Sequence, residues 1–159
     1  MANRILVDAD ESISAPSWIA SVEPFMQKVM KFLAIDNTEV SVLFCSDAFI
    51  AELNKQYRSV EGPTDVLSFE DGESYEEDGV AWKEAGDIVI SVEMLPKNAV
   101  YFEVDQDEEL KRLLVHGMLH LNGMDHGEEH VEKGVEPVCE MLKLQKKILA
   151  ALSAEKLIG

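Results

Sequence analysis

HGMLHLNGMDH, residues 116–126, is the stretch on which the reading of the whole chain turns. Positions i and i+4 of a helix share one face, so His116 and His120 point the same way. Gly123 then ends the helix, because glycine accepts the left-handed conformation found there. His126 can return to the same point as a third ligand. Three imidazole nitrogens leave a fourth tetrahedral position for water, the arrangement of a catalytic zinc site and not of a closed structural one. The expected cofactor is one Zn²⁺ per chain, although imidazoles also suit Ni²⁺ or another divalent ion. Bound zinc lowers the pKa of its water to about 7, so a hydrolytic reaction is expected. The fourth histidine, His130, stands among Glu128, Glu129 and Glu132 and reads as a solvated surface residue.

The spacing H-x3-H-x2-G-x2-H matches the ligand framework of the metzincin proteases, with one difference. In H-E-x-x-H the glutamate after the first histidine is the general base; here that position is Gly117. Peptide hydrolysis by the usual route lacks its proton carrier. Glu109, two turns earlier on the same face, and Asp125, beside a ligand, read as supporting or solvated groups and not as substitutes for it.

Working outward, the motif sits on a helix from about Asp107 to Leu121, preceded by another near Met94–Phe102. GDIVISV (86–92), VSVLFC (40–45), RILVD (4–8) and the strand within GPTDVLSF (62–69) have strand composition. Trp18, Ile19, Val22, Phe25, Met26, Val29, Met30 and Leu33 form an apolar stripe of helical period, with Ser14 and Pro16 as its start. Ser46 and Asp47 open a helix through about Tyr57. A final helix presents Val138, Met141, Leu142, Ile148, Leu149 and Leu152, its start left open because Gly134 and Pro137 interrupt the pattern. Residues 70–85 carry seven acids in sixteen and read as a solvated, mobile connection, with a lid as the alternative its length allows. The four strands are spaced unevenly by about five helices. The expectation is a single α+β domain over residues 1–159 with a mixed four-stranded sheet.

Composition narrows the class. No apolar run approaches a membrane span, the first residues lack a signal-peptide pattern, and Cys45 and Cys139 stand without CxxC spacing. A cytoplasmic protein with reduced thiols is expected. Asp and Glu number 31 against 14 Lys and Arg, a formal charge of −17. Such a field repels polyanions, so any nucleic-acid function requires a local basic groove. Lys55 and Arg58 share a helical face, and Arg4, Lys28 and Lys31 are further candidates for it.

A second motif lies upstream. Asn54-Lys-Gln-Tyr57-Arg58 ends a helix, and Pro63-Thr-Asp-Val-Leu-Ser-Phe69 follows. Thr64 and Asp65 suit a turn before a strand, and Arg58 alone suits a helix C-terminus. In combination, LNKQYRSVEGPTDVLSF, GDIVIS and HGMLHLNGMDH closely resemble the YbeY family of bacterial endoribonucleases. The resemblance runs from about Val40 to His126. It implies a zincin-like α+β fold, a metal on His116, His120 and His126, and catalytic roles for Arg58 and His116. It also implies ribosomal RNA as substrate, in 16S 3′-end maturation and ribosome quality control, with a preference for single strands. Ribosomal particles and ribosome-associated proteins are the implied partners. Two alternatives remain: a non-enzymatic ribosome-assembly factor with a structural metal, whose acidic surface suits basic partners, and a metalloprotease-like hydrolase.

Overall fold

The β-branched and apolar runs found in the sequence become the strands of one mixed sheet in a computed structural model that describes residues 2–126, 134 and 136–158. Among these residues the strands are β1 (Asn3–Ala9), β2 (Thr38–Cys45), β3 (Val66–Glu70), β4 (Ser74–Glu77) and β5 (Val80–Ser91). The helices are α1 (Val22–Phe32), α2 (Asp47–Arg58), α3 (Met94–Phe102), α4 (Gln106–Leu121) and α5 (Glu140–Ala151). The sheet runs β1-β2-β5-β3, with β4 also on β5. β1 to β2 and β2 to β5 are parallel, whereas β3 and β4 pair antiparallel with β5. His130 lies outside the described residues. Among those residues no helix is long and apolar enough to cross a membrane.

The α+β class and the four-strand path agree with the sequence; the acidic connection does not. Part of 70–85 is β4 and the first half of β5, joined by Asp78-Gly79 with φ of 51° and 78°. Positive φ at both central residues matches the right-handed twist of a two-residue hairpin. Tyr75 lies opposite Trp82, their rings stacked 6.4 Å apart. Arg4 caps this pair: its guanidinium sits 4.0 Å from the Trp82 ring centre, bonds the Tyr75 hydroxyl at 2.9 Å and pairs with Glu77.

Halfway along, β5 changes partner. Glu39 faces Glu84 while Val40 faces Gly86, so Ala85 is an extra residue in the strand. Gly86 has φ of +138°, and a Cβ there would lie 2.0 Å from the Phe69 carbonyl oxygen. Only glycine fits this close approach.

The main core lies on the face where Val40, Val42, Phe44, Ile88 and Ile90 meet α1 and α4. α2 covers the other face, with Ile50 packed among Cys45, Leu67 and Val89. Burial pushes the Cys45 thiol up to about 12, which makes it an inert core group. Two helix starts differ from expectation. Trp18 and Ile19 lie before α1, Ile19 opening the one-turn 3-10 helix Ile19–Ser21 that leads into it, and Trp18 meets Phe44 edge-on at 5.1 Å. α5 begins at Glu140, leaving Val138 outside it and 75% exposed.

α4 is the element that places the histidines. Asp105 caps it by accepting from the Glu108 amide at 2.8 Å, and Asp107, Glu108 and Glu109 suit the positive end of its dipole. At its other end the Gly123 amide bonds the His120 carbonyl and the Met124 amide bonds the Leu119 carbonyl. Gly123 has φ of +83°. This is the Schellman arrangement, and it reverses the chain toward His126.

Candidate metal centre and its cleft

His116 and His120 lie one above the other on α4, and the Gly123 turn brings His126 against them. A nitrogen of each ring lies within 4.8 Å of the others. The Nε2 atoms of His116 and His120 are 3.2 Å apart. Two ligands of a tetrahedral zinc with bonds of about 2.0–2.1 Å are separated by about 3.3 Å, so this pair has the spacing of two corners around one ion. Such a group can hold a metal.

The rings are prepared for that role. His116 Nδ1 is 2.7 Å from Oε1 of Gln145, which is 3% exposed on α5. The contact assigns the proton to Nδ1 and leaves the Nε2 lone pair to face His120. Burial pushes the His116 pKa down to about 4; the Gln145 bond opposes this, and the charges of His120, Arg112 and His126 add to it. Burial likewise lowers His120, aided by His126 and opposed by Asp125. Both are therefore neutral at physiological pH, the form that donates to a metal.

The histidines open into a cleft of about 850 Å³, also lined by Arg58, Thr64, Asp65, Ser68, Asn98, Tyr101, Arg112 and Asp125. Arg58 is the last residue of α2, which Ser59 ends in the left-handed conformation. Behind it, Asn54 is buried and donates to the Gly62 carbonyl at 3.0 Å, fixing the turn into β3. The Arg58 guanidinium bonds the Ser68 carbonyl on β3 and lies 5.3 Å from the Phe69 ring centre. The structure thus puts Arg58, which the resemblance singled out, on the same cleft as the histidines. The other cations proposed for a groove do not line it. Arg4 is held by the β4–β5 hairpin and Lys28 pairs with Glu155, while Lys31 and Lys55 are elsewhere on the surface.

Glu109 is 1% exposed, and its carboxylate is taken by a residue the sequence did not single out. Arg112 grips it through Nε and Nη2, both at 2.7 Å. Asn98 bridges Glu109 and Asp65 at 2.9 and 3.0 Å, and Arg112 also reaches Asp65 at 3.3 Å. Burial works against the Arg112 charge, but Glu109 and Asp65 hold its pKa above the ordinary value. Arg112 lies one helical turn before His116, so its i−4 spacing was a signal available in the sequence. Gln145, 29 residues from His116, gave none.

Gly117 has a packing reason. A Cβ there would sit 2.7 Å from Cγ2 of Ile88 on β5. The helix face that carries the general base in H-E-x-x-H is here pressed against the sheet, with no room for a side chain.

The sequence model of the family described as Endoribonuclease YbeY matches residues 5–153. A Treponema denticola protein of that name is 49% identical over 94% of this chain and 93% of its own length. An Aquifex aeolicus protein, also named Endoribonuclease YbeY, is 39% identical over 83% of this chain and 82% of its own. A solution structure from Thermotoga maritima superposes with a TM-score of 0.59 at 27% identity, covering 94% of this chain and 90% of that one. The converging histidines, the Arg58 cleft and these matches agree: the chain belongs to the Endoribonuclease YbeY family.

Proposed function

We propose that this chain is a cytoplasmic, metal-dependent endoribonuclease that cuts single-stranded RNA during ribosomal RNA maturation, at the 16S 3′ end, and in ribosome quality control. The observation that carries the reading is the His116–His120 spacing of a tetrahedral ion beside a guanidinium in one cleft. His116, His120 and His126 would hold one Zn²⁺ or another divalent ion. When bound, the ion supplies Lewis acidity toward a phosphoryl oxygen and makes water more acidic.

The protein's own groups supply the rest. Arg58 presents guanidinium N–H groups to a non-bridging phosphate oxygen and stabilises charge that grows there. His116 contributes as a ligand: its Nδ1 proton is committed to Gln145, so the ring is positioned and does not shuttle a proton. Gly117 leaves position 117 without a carboxylate base, so positioning and electrostatics support the attack of the RNA 2′-OH or of water on phosphorus. The P–O bond to the departing ribose oxygen breaks, and the nucleophile's proton passes to solvent while that oxygen takes one up. The peptidase alternative loses its proton carrier for the same reason.

Arg58→Ala is expected to lower cleavage of a structured rRNA fragment by about a hundredfold or more, the scale for removing one charge-stabilising donor. Metal content and melting temperature stay at wild-type values. Wild-type rates in this variant would remove Arg58 from the mechanism. If the metal-loaded wild type cuts no RNA yet binds ribosomal particles, the assembly-factor reading replaces this one.

Gln145→Leu keeps the core volume but removes the acceptor for His116 Nδ1–H. Metal affinity, measured by competition with a chelator, is expected to fall about 10- to 100-fold. An unchanged affinity would show that Gln145 does not orient the ring.

A further inference from the structure

The cleft is poor in positive charge. Among the described residues only Arg58 and Arg112 bring Lys or Arg side chains to its walls, and Glu70 and Asp125 face the same space. Arg112 is neutralised by Glu109 and Asp65. With a charge of −17 on the whole chain, the side chains of this cleft can neutralise few phosphates of a polyanion.

The cleft does have aromatic surface. Tyr101, at the end of α3, lines it and is 60% exposed. The ring is buttressed: Tyr101 and Phe102 form a T-shaped pair at 4.9 Å and 86°, and Phe102 is backed by the Arg112 guanidinium 4.8 Å from its ring centre. An exposed aromatic ring in a cleft with few cationic side chains suits a nucleobase, since every base has a π-face and stacking does not depend on charge. Bases in a duplex have both faces covered; only an unpaired base can use it.

We propose that Tyr101 is the stacking platform for an unpaired nucleobase beside the scissile phosphate, and that this protein holds RNA more by its bases than by its backbone. The inference rests on the endoribonuclease reading of the same cleft and makes the single-strand preference a property of a named residue. Arg58, Arg112 and a bound divalent ion give at most three phosphate contacts, which at about 0.7 per phosphate on a single strand predict a slope of log K against log salt no steeper than about −2.

The test is binding of a short, labelled 2′-O-methyl oligonucleotide to metal-loaded wild type, Tyr101→Ala and Tyr101→Phe, with cleavage of the unmodified RNA followed in parallel. Tyr101→Ala is expected to weaken binding about tenfold and to raise KM with little change in kcat, while Tyr101→Phe stays near wild type. Abasic residues in the oligonucleotide should remove the difference between wild type and Tyr101→Ala. Equal affinity of wild type and Tyr101→Ala, no binding by wild type, persistence of the difference on the abasic strand, or a slope of about −3 or steeper would each overturn the proposal. A wild type that binds through Tyr101 but cuts nothing defeats the endoribonuclease reading and leaves the platform standing. One that cuts RNA with KM unmoved by Tyr101→Ala defeats the platform alone.

Discussion

Gly117→Glu, the substitution that completes H-E-x-x-H on paper, is expected to destabilise the fold strongly and not to create a peptidase. A Cβ at 117 would meet Ile88 Cγ2 at 2.7 Å, with Cδ1 and Cγ1 both at 3.1 Å. Overpacking of this kind costs about 1–3 kcal/mol, and a carboxylate forced against a dry sheet face costs several more. For a chain of this size a loss of about 4 kcal/mol lowers the melting temperature by roughly 10 °C. Gly117→Ala, which adds only the methyl, should lose less. Thermal unfolding of the two variants beside wild type checks this. A Gly117→Glu protein that melts like wild type and hydrolyses casein would overturn both the packing account and the exclusion of protease chemistry.

The second large effect is on the metal. His120→Ala removes the imidazole 3.2 Å from His116 Nε2 and leaves two of the three nitrogens. Elemental analysis of the purified variant is expected to find almost no bound divalent ion, and RNA cleavage to fall below about a thousandth of wild type. His120 lines the cleft and is only partly buried, so the fold should survive. Full metal retention would refute the proposed site; full cleavage without metal would refute metal dependence itself.

The sequence showed those parts of the site that are local along the chain. His116 and His120 follow from the helical repeat, and His126 from a glycine whose stop signal became a Schellman turn. The helix expected near Met94–Phe102 is found over those residues. The β4–β5 hairpin was missed for a physical reason. Its Asp78-Gly79 turn carries a strong hairpin signal, but the surrounding acids suggested a segment too charged to be ordered. What orders it is Tyr75 on Trp82 with Arg4 across both, and Arg4 is 71 residues from Tyr75. Gln145 and the Asp65–Asn98–Glu109–Arg112 network were hidden likewise. They join α3, α4, α5 and the turn before β3, and a linear pattern does not record which polar groups meet.

The change of partner along β5 also bears on how such a chain can vary. β3 holds the Ser68 carbonyl that anchors Arg58, and it pairs only with residues 86–90 of β5. β4 pairs only with residues 80–83, and the bulge at Ala85 and Gly86 separates the two ladders. The hairpin tip is thus a tolerant point for insertions and deletions. Adding or removing residues in matched pairs about Asp78-Gly79 preserves the alternation of faces and leaves the register beside the cleft untouched. A single residue gained or lost at Gly86 would instead carry its error into the strand that positions Arg58.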